Sequence, residues 1–181
     1  MTVPYQRVHV IINPAAGGNN PILNILNDVF RQYDVDWDAS ITHRAGDATR
    51  QAQEAIASGV DLVAGYGGDG TQMEVLNGVI GSEVPMAILP GGTGNAMAFD
   101  LKIPRHLEEA AELICQSSQR RAVDVGRVVE QYFFLRAYTG LGDELGPSRE
   151  MKDQYGLLAY PAAVLSGLSH LYISHSHVAE S

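Results

Sequence analysis

Apolar residues fall along this chain in two alternating rhythms. Short runs rich in β-branched side chains, Val8–Ile12, Val35–Thr42, Val60–Ala64 and Pro85–Leu89, read as strands. Between the first two, Ile22, Leu23, Leu26, Val29 and Phe30 recur at helical spacing and predict an amphipathic helix. "DATRQAQEAIASG" is a second helix, with Asp47 as its cap and Gly59 closing it. Thr71–Ile80 and the turn "AMAFDL" also read as helical. Leu107, Ala110, Ala111 and Ile114 mark a further helix, whose apolar face Cys115 borders as a structural thiol. Strands alternating with helices point to a parallel sheet covered on both faces. The expectation is an α/β fold, a Rossmann-like three-layer α/β/α domain over residues 1–121.

The rhythm changes after Arg121. "RAVDVGRVV" and "YFFLRAYTG" are strand-like runs separated only by Glu130-Gln131, a hairpin signal that belongs to antiparallel sheet. Residues 122–181 are therefore expected to begin a β-rich second lobe that the chain does not complete.

Composition narrows the classes of function. Hydrophobic residues at 45% and charged residues at 18% are globular proportions. The net charge of −9, with lysine only at 102 and 152, argues against a nucleic-acid partner, which wants clustered cations. An anionic ligand must then be held mainly by backbone N–H groups, helix ends and metal ions. A single cysteine rules out an internal disulfide framework and fits a reducing compartment. Met1–Arg7 is polar and does not resemble a secretory leader. Gly156–Ile173 lacks charged residues, but Pro161 fits best in a first helical turn, leaving a helix too short to span a bilayer.

Three small-residue loops follow the C-terminal ends of expected parallel strands: "NPAAGG" at 13–18, "GGDGT" at 67–71 and "PGGTGN" at 90–95. Ligands bind at that edge of an open α/β sheet, and successive N–H groups with helix N-termini attract phosphates. Neither G-x-x-x-x-G-K-[ST] nor G-x-G-x-x-G after the first strand occurs, so both standard nucleotide fingerprints are missing. Asp69 stands between two glycines just before a helix, where a carboxylate meets the positive end of the helix dipole. Beside a phosphate site it can hold Mg²⁺, orient a hydroxyl or take its proton; otherwise it is a turn residue. Thr71 and Glu74 have capping-box spacing, so a structural role competes with a phosphate contact. Asn95 either caps "AMAFDL" or reaches a ligand. His43, at the end of the second strand, is a ligand-contact candidate, whereas His175 and His177 have metal-ligand spacing without a third partner.

The ordered set "INPAAGG", "GGDGT" and "LPGGTGNAMA" resembles the lipid kinases of the diacylglycerol kinase catalytic-domain superfamily. The resemblance continues through "VDVGRV", "FFLRAYTGLGDEL" and "KDQYGLLAY". "GGDGT" is shared with NAD kinases, but "PGGTGNA" leans away from them, and Asn95–Ala98 is similar to sphingosine-kinase-type members. The resemblance implies transfer of the γ-phosphate of ATP, with Mg²⁺, to a lipid hydroxyl of diacylglycerol or sphingoid type. It implies Asp69 as the catalytic residue, either the base or an acidic residue linked to Mg²⁺, and Asn13, Thr42, Gly67, Gly68, Gly70, Thr71, Gly92, Thr93, Gly94 and Asn95 as nucleotide contacts. Residues 1–121 would be the nucleotide-binding domain and 122–181 the start of the lipid-binding lobe. Asp143 matches an acid near the lipid head group, and Arg149 and Lys152 match basic residues near phosphates. The implied setting is cytoplasmic, with peripheral membrane contact.

Enzymes of this kind run well beyond 181 residues, and their final acidic site residues have no counterpart here. The alternatives are an NAD kinase, or a truncated nucleotide- or lipid-binding module without catalysis. An unfinished sheet edge would also favour self-association into a homo-oligomer.

Overall fold

The computed structural model describes residues 3–18 and 20–134. The chain divides into two units, Met1–Ala137 and Tyr138–Ser181; the elements named below belong to the first, and the second lies outside the described residues. Strands β1 (Arg7–Ile12), β2 (Asp36–Ile41), β3 (Leu62–Gly67) and β4 (Met86–Pro90) form one parallel sheet in the order β2-β1-β3-β4. Helices α1 (Ile22–Gln32), α2 (Asp47–Ala57), α3 (Asp69–Val79), α4 (Ala96–Asp100) and α5 (Leu107–Gln116) connect and cover it.

The alternation within β1 decides which helix packs where. Val8, Val10 and Ile12 join Leu62, Ala64, Tyr66 and Leu89 on one face, against Leu26, Val29 and Phe30 of α1 and Leu107, Ala110, Ala111 and Ile114 of α5. Ile11 and Val63 face the other way, against Ala48, Ala52 and Ala55 of α2 and Val75 and Val79 of α3. A parallel strand covered on both sides has no solvent face, so β3 is buried at all six positions. The edge strand β2 keeps Asp36, Asp38, Ala39 and Ile41 exposed. The expected three-layer α/β/α arrangement is thus present. Cys115 is buried at 3% exposure, and burial pushes its thiol up to about 11, as befits a structural thiol.

Where β3 passes into α3, two boundaries differ from the sequence reading. β3 runs on past Ala64 to Gly67, because Gly65, Tyr66 and Gly67 still pair with Ile88, Leu89 and Pro90. Glycine is a poor strand former in isolation, and sheet pairing overrides that preference here. α3 starts at Asp69 rather than Thr71, with its first helical bond running from Gln72 N to Gly68 O.

After α5, β5 (Gly126–Val128) and β6 (Gln131–Phe133) form the expected antiparallel hairpin, shorter than the apolar runs and turning through Val129-Glu130. Asn77 of α3 holds this hairpin as a neighbouring strand would. Its Nδ2 donates to Tyr132 O at 2.9 Å and its Oδ1 accepts from Tyr132 N at 2.8 Å. No helix among the described residues is long and apolar enough to cross a membrane.

Candidate functional site

The sheet order places the topological switch between β1 and β3: the chain leaves β1 for β2 on one side and returns through α2 to β3 on the other. A crevice opens at the carboxyl ends of such a strand pair. All four strand ends contribute expected site residues in spatial order, Thr42 after β2, Asn13 after β1, Gly67–Thr71 after β3 and Gly92–Asn95 after β4. At ~4.8 Å per strand the row spans about 15 Å.

Hydrogen bonds tie these ends together. Thr42 N donates to Ile12 O at 2.9 Å, and Asn13 N donates to Tyr66 O at 2.9 Å. Asn13 Nδ2 reaches across the crevice to Thr71 Oγ1 at 3.0 Å, while its Oδ1 accepts from Ala15 N at 3.0 Å and curls the first loop. Gly91 N donates to Gly67 O at 3.0 Å, joining the second and third loops. Those two loops touch through Gly68 and Gly92. A Cβ on Gly92 would collide with Gly68 Cα and lie 3.1 Å from Gly68 N, so glycine is needed for this approach.

Asp69 occupies this junction. Its Oδ2 accepts from Ala96 N at 3.2 Å and its Oδ1 from Met97 N at 3.3 Å, so the carboxylate satisfies the first N–H groups of α4. An ionised carboxylate offers about four lone-pair positions. The two bonds leave acceptor capacity for a hydroxyl. Helix geometry also leaves the N–H groups of Asp69, Gly70 and Thr71 without intrahelical acceptors at the start of α3.

Several expected local roles are corrected. Thr71 and Glu74 do not form a capping box, because α3 has already begun and its N-cap, Gly68, makes no side-chain cap bond. Thr71 is buried within the first turn and receives Asn13 instead. Glu74 serves a different helix: its Oε2 accepts from Gly46 N at 3.0 Å and Ala48 N at 3.2 Å, where α2 starts. Thr49 Oγ1 donates to Glu74 O at 2.8 Å beside it. Asp47 likewise does not cap α2. It turns back to accept from His43 N at 2.9 Å and Arg44 N at 3.1 Å, and so shapes the loop after β2. The His43 bond, foremost, holds the Asp47 carboxyl below the usual carboxylate range, with Arg44 and Arg50 adding to it against the opposing effect of burial. Asn95 makes no side-chain cap bond to α4. Its Oδ1 accepts from Gly92 N at 2.9 Å and its Nδ2 donates to Gly92 O at 2.6 Å, which closes the third loop.

Two side chains absent from the sequence reading support the site. Gln72 is 2% exposed, and its Nε2 donates to Gly65 O at 2.8 Å beneath the glycine-rich end of β3. Tyr66 is 1% exposed, and burial raises its phenol above the ordinary value. Both read locally as ordinary helix and strand residues, and only the strand continuing to Gly67 could have flagged Tyr66. Asp143, Arg149, Lys152, His175, His177 and the segment 156–173 lie outside the described residues.

Among the described residues no group of three or more His, Cys, Asp or Glu is placed to hold a metal. Mg²⁺ is commonly held by one or two carboxylates together with substrate phosphates. Asp69 fits that shared arrangement, not an all-protein cage.

Comparison with known proteins matches the same stretch. The family model for the diacylglycerol kinase catalytic domain covers residues 7–128. A diacylglycerol kinase of Bacillus subtilis is 35% identical over 86% of this chain and 53% of its own length. A diacylglycerol kinase of Mycobacterium tuberculosis is 34% identical over 70% of this chain and 43% of its own. A crystal structure of a diacylglycerol kinase from Bacillus anthracis superposes with a TM-score of 0.64 at 36% identity, covering 73% of this chain and 49% of that one. The chain belongs to the diacylglycerol kinase catalytic domain family. It spans about half the length of the curated relatives it matches.

Proposed function

We propose that this member of the family is the nucleotide-binding part of an ATP-dependent lipid kinase, passing the γ-phosphate of ATP to a lipid hydroxyl of diacylglycerol or sphingoid type. The observation that carries the reading is the gathering of three glycine loops at one sheet edge, with one carboxylate, Asp69, where the second and third of them join. Backbone N–H groups at the start of α3 and along the loops would hold the phosphates, which suits a chain of net charge −9 with few cations to offer. Asn13, Thr42, Gly67, Gly68, Gly70, Thr71, Gly92, Thr93, Gly94 and Asn95 line the row of strand ends. In this reading they contact the nucleotide.

Phosphoryl transfer asks mainly for positioning and charge neutralisation. Mg²⁺, shared between Asp69 and the phosphates, would supply that neutralisation when bound. Asp69, fixed by two backbone donors, is oriented to accept a hydrogen bond from the attacking hydroxyl and then its proton. Residues 1–121 form the nucleotide-binding domain in this proposal. Residues 122–181 begin the lipid-binding lobe, with Asp143 near the head group and the protein meeting the membrane peripherally from the cytoplasm.

The test is transfer of label from γ-labelled ATP, with Mg²⁺, to diacylglycerol, sphingosine, ceramide or NAD offered separately. A phosphorylated lipid is expected. Phosphorylated NAD as the only product would replace the proposal with a NAD kinase. A second reading rests on the half-length coverage: a binding module without catalysis. Saturable ATP binding with no labelled lipid, from this chain and from the whole reading frame alike, would favour it.

A further inference from the structure

The third and first glycine loops rest on one side chain. Tyr66 points from β3 into the α1/α5 face, and its phenol lies under both loops. A Cβ on Gly91 would stand 2.8 Å from Tyr66 Cζ, 2.9 Å from Cε1 and 3.1 Å from Cε2. A Cβ on Gly17, which has φ +79°, would overlap the Tyr66 hydroxyl. The Tyr66 carbonyl meanwhile accepts from Asn13 N at 2.9 Å. One residue therefore contacts the first loop through main chain and hydroxyl and the third loop through its ring, one position before the phosphate loop begins.

We infer that Tyr66 is a positioning residue of the nucleotide site: its buried phenol sets the separation of the first and third glycine loops. The inference rests on the proposed reading that these loops hold ATP. The ring is rigid and has two rotatable bonds, so it transmits loop spacing better than an aliphatic side chain would. Glycine at 91 keeps the third loop seated directly on the ring. Any side chain there must lift the loop or displace the phenol. The lost contact appears in ATP affinity because anion binding by successive N–H groups depends on their convergence.

The experiment is calorimetric titration of MgATP into the full 181-residue chain and its variants, well below their melting temperatures. Tyr66→Phe keeps the ring under the third loop but removes the hydroxyl beneath Gly17, so a smaller loss of about threefold is expected. Gly91→Ala and Tyr66→Leu are each expected to weaken binding about tenfold, roughly 1.4 kcal/mol. The combined variant is expected to bind no worse than Tyr66→Leu alone, because the methyl then enters space the ring has left; non-additivity of this kind marks direct coupling. A merely structural role would lower melting temperature while leaving Kd of the folded protein unchanged. That result, or losses that add fully in the combined variant, overturns the inference. If Tyr66→Leu fails to fold, Gly91→Ala decides, and an unchanged Kd overturns it. Absence of ATP binding in the unaltered protein instead removes the nucleotide reading itself, and the inference with it.

Discussion

Asp69→Asn separates the contact made by this carboxylate from the chemistry proposed for it. Asn keeps one oxygen that can accept from Ala96 N or Met97 N and turns an NH₂ toward the other. The structural loss is therefore about one hydrogen bond to a charged group, ~1.5–3 kcal/mol at most, and less here because the bonds measure 3.2 and 3.3 Å. A cost of about 1–2 kcal/mol lowers Tm by roughly 2–8 °C for a chain of this size. A positioned base contributes about 10²–10⁴ in rate, some 2.7–5.5 kcal/mol of barrier. The chemical effect should thus exceed the structural one and appear in a different observable. The assay is steady-state phosphate transfer by the protein of the whole reading frame, with kcat and KM separated, alongside calorimetric ATP binding and a thermal melt. The expected result is a kcat about 10²-fold lower or worse, ATP Kd within about threefold, and a Tm a few degrees lower. Asp69→Ala leaves both α4 N–H groups without their acceptor and should melt lower still. A kcat within about threefold of the unaltered enzyme in both variants would refute a catalytic Asp69. Loss of ATP binding with no separate effect on kcat would assign it to loop geometry instead.

Three further outcomes follow from particular contacts. Glu74→Ala removes the acceptor for Gly46 N and Ala48 N, so a loss of about 1–2 kcal/mol is expected from a shifted urea midpoint at unchanged slope, with Glu74→Gln losing less; a shift below about 0.3 kcal/mol would count against the clamp. His9 is held below its ordinary value by burial, against the opposing charge of Asp38, and its Nε2 bonds Ser40 Oγ at 2.9 Å. The unfolded chain then takes up the proton first, so this residue's stabilisation is complete above about pH 6.5 and is lost as pH falls through its lower folded value. His9→Gln should flatten that acid limb, and an unchanged limb would contradict the assignment. Cys115, buried with its thiol at about 11, should react with a thiol reagent at pH 8 far more slowly in the native protein than in urea; equal rates would mean that the α1/α5 face opens readily.

Much of this architecture is legible without coordinates. The apolar runs of β1 and β4, the helical spacing of Leu26, Val29 and Phe30, and the glycine loops between them are signals that neighbouring residues carry together. Strand–helix alternation with right-handed crossovers then leaves few ways to order the sheet. The site's location is legible for the same reason, since loops after parallel strands share one edge. The purpose of individual polar side chains is not. Local spacing matched Thr71 with Glu74 and Asp47 with its own helix, because capping is the commonest short-range use of those residues. Each found a longer-range or backward partner that satisfied the same bonding need.

The sequence by itself determined that a parallel three-layer sheet would form and that glycine loops with one carboxylate would gather at its carboxyl edge. Hydrophobic period and turn chemistry are local, so they survive being read one segment at a time. Only the tertiary structure decided that Asp69 meets the start of α4, 27 residues on, that Asn13 reaches Thr71 across 58, and that Tyr66 lies beneath two loops at once. Those pairings depend on which strands become neighbours, and the order β2-β1-β3-β4 exists only once the chain has closed on itself.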